Sequence, residues 1–197
     1  MGQYYLIANM DKKEVLTLER RFPGMKLLEI ADDIKTSIAI TNIIAEKWNS
    51  DHIYLVGDYA DLSKADVPYF NALRTWIDKF HLIKPLFKHI ADSFQKVEGD
   101  PTDKGYRFLY NHDKHIYLDL LHLPESYDSF SQNHFYINPL PLLIAMGNGR
   151  GGGDYWNPHN ENYVGSWCDS IMRVEITKEP IDELGYEEFH PDFRCEG

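Results

Sequence analysis

KTSIAITNIIAEKW (Lys35–Trp48), followed after Asn49-Ser50-Asp51 by HIYLV (His52–Val56), is the stretch on which the fold turns. In its first part Ile38, Thr41, Ile44, Ala45 and Trp48 recur at three-to-four spacing, which predicts an amphipathic helix with one apolar stripe against a core. Its second part is rich in β-branched and aromatic residues and stops at Gly57-Asp58-Tyr59. That predicts a strand delivering an acidic and an aromatic residue to a turn, a common place for function.

Towards the N-terminus, Gln3–Asn9 (QYYLIAN) has strand composition, Asp11-Lys12-Lys13 reads as a turn and Glu14–Leu18 as a partner, so the chain opens with a hairpin. Lys26–Ile30 is a further short apolar run. On the other side, residues 68–95 read as mostly helical, with Phe70, Leu73, Trp76, Ile77 and Phe80 on one stripe and a second segment running from Pro85 through Phe94. Glu98-Gly99-Asp100-Pro101 breaks that pattern. Tyr106–Tyr110 and His115–Leu121 flank Asn111-His112-Asp113-Lys114 as a second hairpin, and Ile171–Ile176 supplies another strand. Strands and helices fall in separate clusters, without an internal repeat or a dividing linker. The expectation is a single α+β globular domain over residues 1–197, a mainly antiparallel sheet with two to three packed helices and an acidic C-terminal segment, 178–197.

Composition supports a packed core and narrows the function. The 197 residues are 43% apolar and 14% aromatic, unlike a disordered chain. The longest mainly apolar run, Pro139–Met146, holds two prolines and falls far short of the roughly 20 residues of a membrane helix, so no membrane association is expected. MGQYYLIANMDKKEV lacks the basic start and apolar run of a secretory signal, and Cys168 and Cys195 form no CxxC pair; both point to a cytoplasmic protein with free thiols. Of the net charge of -11, residues 101–197 contribute -9, from 7 Lys and Arg against 16 Asp and Glu. An anionic duplex needs a basic face, so direct nucleic-acid binding is disfavoured and a protein partner or a small anionic ligand is expected.

Gly147-Asn148-Gly149-Arg150-Gly151-Gly152 has the spacing GxGxxG, but Asp154-Tyr155-Trp156-Asn157-Pro158 follows where a dinucleotide site needs a helix N-terminus. Without that helix the loop can still form a nest of backbone N–H groups, with Arg150 adding a bidentate anion contact. The ligand-binding candidates are therefore Gly149, Arg150, Gly151, Gly152, Gly153, Asp154, Tyr155 and Trp156. The same glycines serve equally to permit positive φ at a tight crossing. Trp156, Tyr155, Tyr163 and Trp167 gather around this loop, either as stacking platforms or as core. Asp58 and Asp154, with Asp61, are the catalytic candidates, able to form a carboxylate pair if their loops meet; Asp58 capping a turn is the competing reading. His112, His115 and His122 lie close in sequence, yet the turn and the odd spacing along the following strand specify no three-ligand metal geometry, and no cofactor can be named.

MGQYY at residues 1–5, VGDYAD at Val56–Asp61, and NGRGGGDY at Asn148–Tyr155 with VGSW at Val164–Trp167 together resemble a family of small bacterial and phage proteins that share this opening and this glycine-rich block. The family brings no established activity. The resemblance implies a cytoplasmic protein of accessory or defence-related kind, and no catalytic residue is carried over from it. The expectation is a non-enzymatic binding or inhibitor protein using loop 147–154. A hydrolase or transferase acting on a nucleotide-derived, phosphate-containing substrate is the alternative. The acidic tail Glu179–Glu196 offers a third surface, suited to a basic partner.

Overall fold

Two strands buried on both faces organise the molecule: β1 (Tyr4–Asn9) and β4 (Ile53–Gly57). The computed structural model describes residues 3–18, 24–60, 86–128, 132–146, 163–167, 173–181 and 185–194. Strand β1 pairs antiparallel with β2 (Glu14–Thr17) as the expected hairpin, with β3 (Met25–Lys26) and with β4. Two parallel pairings extend the sheet, β10 (Ala145–Met146) on β4 and β5 (Gln95–Glu98) on β2, so that the order is β10-β4-β1-β2-β5 with β3 beside β1. The period-two alternation of a strand sends Tyr5, Ile7, Ile53 and Leu55 to one face and Leu6, Ala8, Tyr54 and Val56 to the other. Helix α3 (Leu86–Ser93) covers the second face through Leu86 and Ile90.

The first face is shared by two helices and a second sheet. Helix α1 (Leu27–Asp32) leads directly into α2 (Ile34–Glu46), whose N-terminus is capped by the Asp33 carboxylate accepting from the Thr36 amide at 2.9 Å. The predicted helix thus forms, but its stripe is rotated. Ala39, Ile40, Ile43 and Ile44 are buried, Ile38 is only half-buried, and Trp48 is fully buried beyond the helix end, its indole N–H donating to Glu14 Oε2 at 2.6 Å. The second sheet runs β11 (Val174–Thr177), β6 (Phe108–Asn111), β7 (Ile116–Asp119), β12 (Glu187–Glu188). Its Leu109, Leu118, Val174 and Ile176 join the same core as the first sheet, so one apolar core spans both. A small hairpin, β8 (Ser126–Asp128) and β9 (Asn133–Phe135), leads to α4 (Pro139–Leu143), started by Asn138 accepting from the Leu140 amide at 3.0 Å and by Pro139 in the first turn.

This is the expected α+β class. Antiparallel pairs set its centre and one edge, β11 on β6, while the other three edges of the two main sheets are parallel: β5, β10 and β12 each join through a long connection. Strand β5 lies where the sequence pattern gives only a helix end and a breaker. Its four residues are largely exposed and have no alternation to read; pairing with the open edge of β2 makes them a strand. The helical segments expected between 68 and 85 lie outside the described residues. Among the described residues no helix is long and apolar enough to cross a membrane.

Candidate functional site

Asp119, at the end of β7, caps a short 3-10 turn, Leu120–His122, by accepting the Leu121 amide at 3.0 Å. Arg107 reaches across from the start of β6, its Nε donating to Asp119 Oδ1 at 2.6 Å and its terminal nitrogen to Oδ2, a two-point grip on a carboxylate that is itself buried. This pairing with the guanidinium, more than any other contact, holds the Asp119 carboxyl below the usual range. At the far end of the turn, His122 Nδ1 donates to Glu188 Oε1 at 2.7 Å, which raises the imidazole's pKa and lowers the carboxyl's. Fastened at both ends, the turn holds Leu121 outwards with 71% of its surface exposed.

Leu121 faces a cleft of about 450 Å³, a size typical of ligand sites. One wall is the side of α2 that carries Ile34, Ile38 and Thr41 at helical spacing, exposed at Ile34, half-buried at Ile38 and buried at Thr41. Leu120, Leu121 and Leu123 form the opposite wall, and Tyr136, Ile137 and Asn138 close one end. Tyr106 and Asp103 come from the loop joining β5 to β6. Asn42 fixes that loop by donating from Nδ2 to the carbonyls of Asp100, at 2.8 Å, and Thr102, at 2.7 Å. Lys104 is bound by Glu46 Oε1 at 2.7 Å and Asp100 Oδ2 at 2.9 Å, which raises its pKa and holds Asp100 at about 2. Burial, with Glu46 nearby, raises the pKa of the Tyr106 hydroxyl.

Three of the seven large apolar side chains left exposed among the described residues, Ile34, Leu121 and Tyr136, line this one cleft. Sequence reading misses them because each is explained singly: Ile34 as a helix start, Leu121 as a strand end, Tyr136 as a loop aromatic. The available signal was on α2, whose apolar residues occupy more of its circumference than one packed face needs.

Of the expected catalytic and ligand-binding candidates only Asp58 lies among the described residues, and it is not part of the cleft lining. Asp58 continues the β1–β4 pairing by one residue, its Oδ1 accepting from the Tyr4 amide at 3.1 Å while its own N–H donates to the Tyr4 carbonyl at 2.9 Å, a cross-strand contact rather than a local turn cap. Asp61, Asp154 and the whole of Gly149, Arg150, Gly151, Gly152, Gly153, Tyr155 and Trp156 lie outside the described residues. Trp167 belongs to the core at 1% exposure, whereas Tyr163 stays partly exposed against Phe189 and Phe193.

Of the three histidines, His112 and His115 meet at Tyr186 and His122 pairs with Glu188. His115 sits in the β6–β7 turn at φ 54°, and the strand ends before His122, so the expected alternation along one strand does not apply. His112 Nε2 lies 2.7 Å from Glu175 Oε2 and Nδ1 lies 2.5 Å from the Tyr186 hydroxyl, while the His115 ring stacks on Tyr186. Hydroxyl, imidazole and carboxylate in line can relay a proton. Here the three groups clasp Tyr186, which also packs edge-on to Tyr110, and so help fasten β12 at the edge of the second sheet. Among the described residues no group of three or more His, Cys, Asp or Glu could hold a metal ion.

No protein-family model matches the chain, and neither does a curated protein or a solved structure. The functional reading therefore rests on the cleft and on the sequence.

Proposed function

We propose that this chain is a non-enzymatic binding protein that takes the apolar part of its partner in the cleft between α2 and the Leu120–His122 turn. The observation that carries the reading is the convergence of Ile34, Leu121 and Tyr136, at 72%, 71% and 56% exposure, on one concavity. Leaving such side chains in water forgoes stabilisation that a partner restores, about 1–2 kcal/mol for each one it covers at this exposure. Scattered apolar residues need no explanation, but a contiguous set around a cleft does. What holds the set in place is polar and rigid: the Arg107–Asp119 grip, the His122–Glu188 bond and the Asn42 anchor of the 100–106 loop. Such preorganisation spares the ordering cost of binding.

The test is methyl-labelled NMR on the intact chain during titration with small apolar probes, an indole and a cyclohexyl compound. Saturable shifts of the Ile34, Ile38 and Leu121 methyls, abolished in a folded Leu121→Asp variant, are expected. Shifts that do not saturate, or that spare these methyls, would overturn the reading.

A further inference from the structure

We infer that the partner docking in this cleft is a basic, apolar peptide segment of another protein, one or more large apolar side chains flanked by Lys or Arg. The inference rests on the cleft reading and adds the chemistry of the occupant. Among the described residues the lining carries two carboxylates, Asp32 and Asp103, and no Lys, Arg or His. Asp103 is exposed at the mouth, accepts the Gly105 amide at 2.9 Å through Oδ1, and pairs with no cation among the described residues. The adjacent cation does not neutralise it, because Lys104 is held by Glu46 and Asp100. The cleft is therefore anionic at Asp103, with Lys178 engaged over the Tyr106 ring at 5.1 Å, and on a chain already at -11 an acidic or phosphorylated ligand meets repulsion there where a basic one is attracted.

The shape selects a peptide over a compact small molecule. Ile34 and Leu121 are not merely lining; most of each side chain faces outwards. A molecule enclosed within the cleft leaves those outer surfaces wet, whereas a chain segment lying across it covers them and carries its charged flanks to Asp103. An amphipathic segment laid in a groove uses this division, with apolar anchors inside and charges at the edge.

Selection from a random 12-residue peptide library displayed on phage tests this, using the intact chain as bait and counter-selecting with Leu121→Asp. The position is highly exposed, so the variant is expected to fold; Ile34→Asp serves as a second cleft variant, and both are checked by thermal melting. Expected are binders enriched in apolar residues next to Lys or Arg, lost on both variants. Their synthetic counterparts should bind about two- to fivefold more weakly to Asp103→Asn, the range of an exposed ion pair, and more weakly again in 0.5 M NaCl. Cleft-dependent binders that are neutral or acidic, or indifferent to Asp103→Asn and salt, would overturn the basic-partner inference and leave the cleft reading standing. Binders unaffected by either cleft variant, or none at all, would overturn both.

Discussion

Replacing Asp119 by alanine removes two things at once from the wall of the cleft, and their sizes can be worked separately. The carboxylate is buried and receives two donors from Arg107, itself 37% exposed on its side chain. A bond to a charged group contributes about 1.5–3 kcal/mol, and the exposed guanidinium recovers part of its hydration when the partner is lost, which places the pair near the middle, about 2 kcal/mol. The same carboxylate caps the 3-10 turn through the Leu121 amide, worth about 1 kcal/mol more. The expected loss for Asp119→Ala is therefore about 3 kcal/mol, or roughly 6–12 °C in Tm for a chain of this size. Asp119→Asn keeps an acceptor for Leu121 and should lose only the first part. Thermal and urea unfolding give both values, and Arg107→Met completes a double-mutant cycle in which the loss of the guanidinium over Phe108 is common to both Arg107 legs and cancels. If Asp119→Ala unfolds within about 0.5 kcal/mol of the parent, the pair is an ordinary surface contact. The turn would then be fastened only at its His122–Glu188 end, and the preorganisation argument for this wall of the cleft would fail.

His122 has a raised folded pKa because of Glu188, so its contribution is complete below the ordinary imidazole value of 6.5 and fades as pH rises through the raised value; NMR titration of its ring should show this, and Glu188→Gln should return the midpoint towards 6.5. Asp119 acts in the opposite direction, stabilising above the ordinary carboxyl value of 3.8 and ceasing to do so as pH falls through its lowered one, so acid unfolding of Asp119→Asn should be less steep than that of the parent. Gly165 has φ +75°, and a Cβ there would lie 2.7 Å from the Ala145 carbonyl oxygen, so Gly165→Ala should cost about 1–3 kcal/mol in a thermal melt, and an unchanged Tm would show that the crossing relaxes freely. For the glycine-rich segment, the nest reading predicts that a nucleotide or ADP-ribose compound at a hundred times its Kd raises stability by about 2.7 kcal/mol and that Arg150→Ala abolishes the rise; a panel without any shift would leave the segment as architecture.

The sequence by itself determined the elements whose pattern is local. Aromatic and β-branched composition in Tyr4–Asn9 and continuous apolar character in Ile53–Gly57 are properties of a few consecutive residues, and so is the turn chemistry of Asn111, whose side chain accepts the amides of Asp113 and Lys114. The α+β class follows from those runs. Tertiary structure alone decided what depends on distant partners. Gln95–Glu98 becomes a strand because β2 offers an unpaired edge, and Glu187–Glu188 because β7 does. Trp48, expected on the helix stripe, instead leaves the helix to reach Glu14, and the stripe rotates with it. The cleft is the clearest case. Asp103, Leu121 and Tyr136 have no common periodicity with Ile34, and an apolar residue at a strand end reads the same whether it is buried or exposed. Only the packing of α2 beside the β7 turn brings these side chains to one concavity. Burial and proximity are properties of the folded whole, and no spacing rule within a segment encodes them.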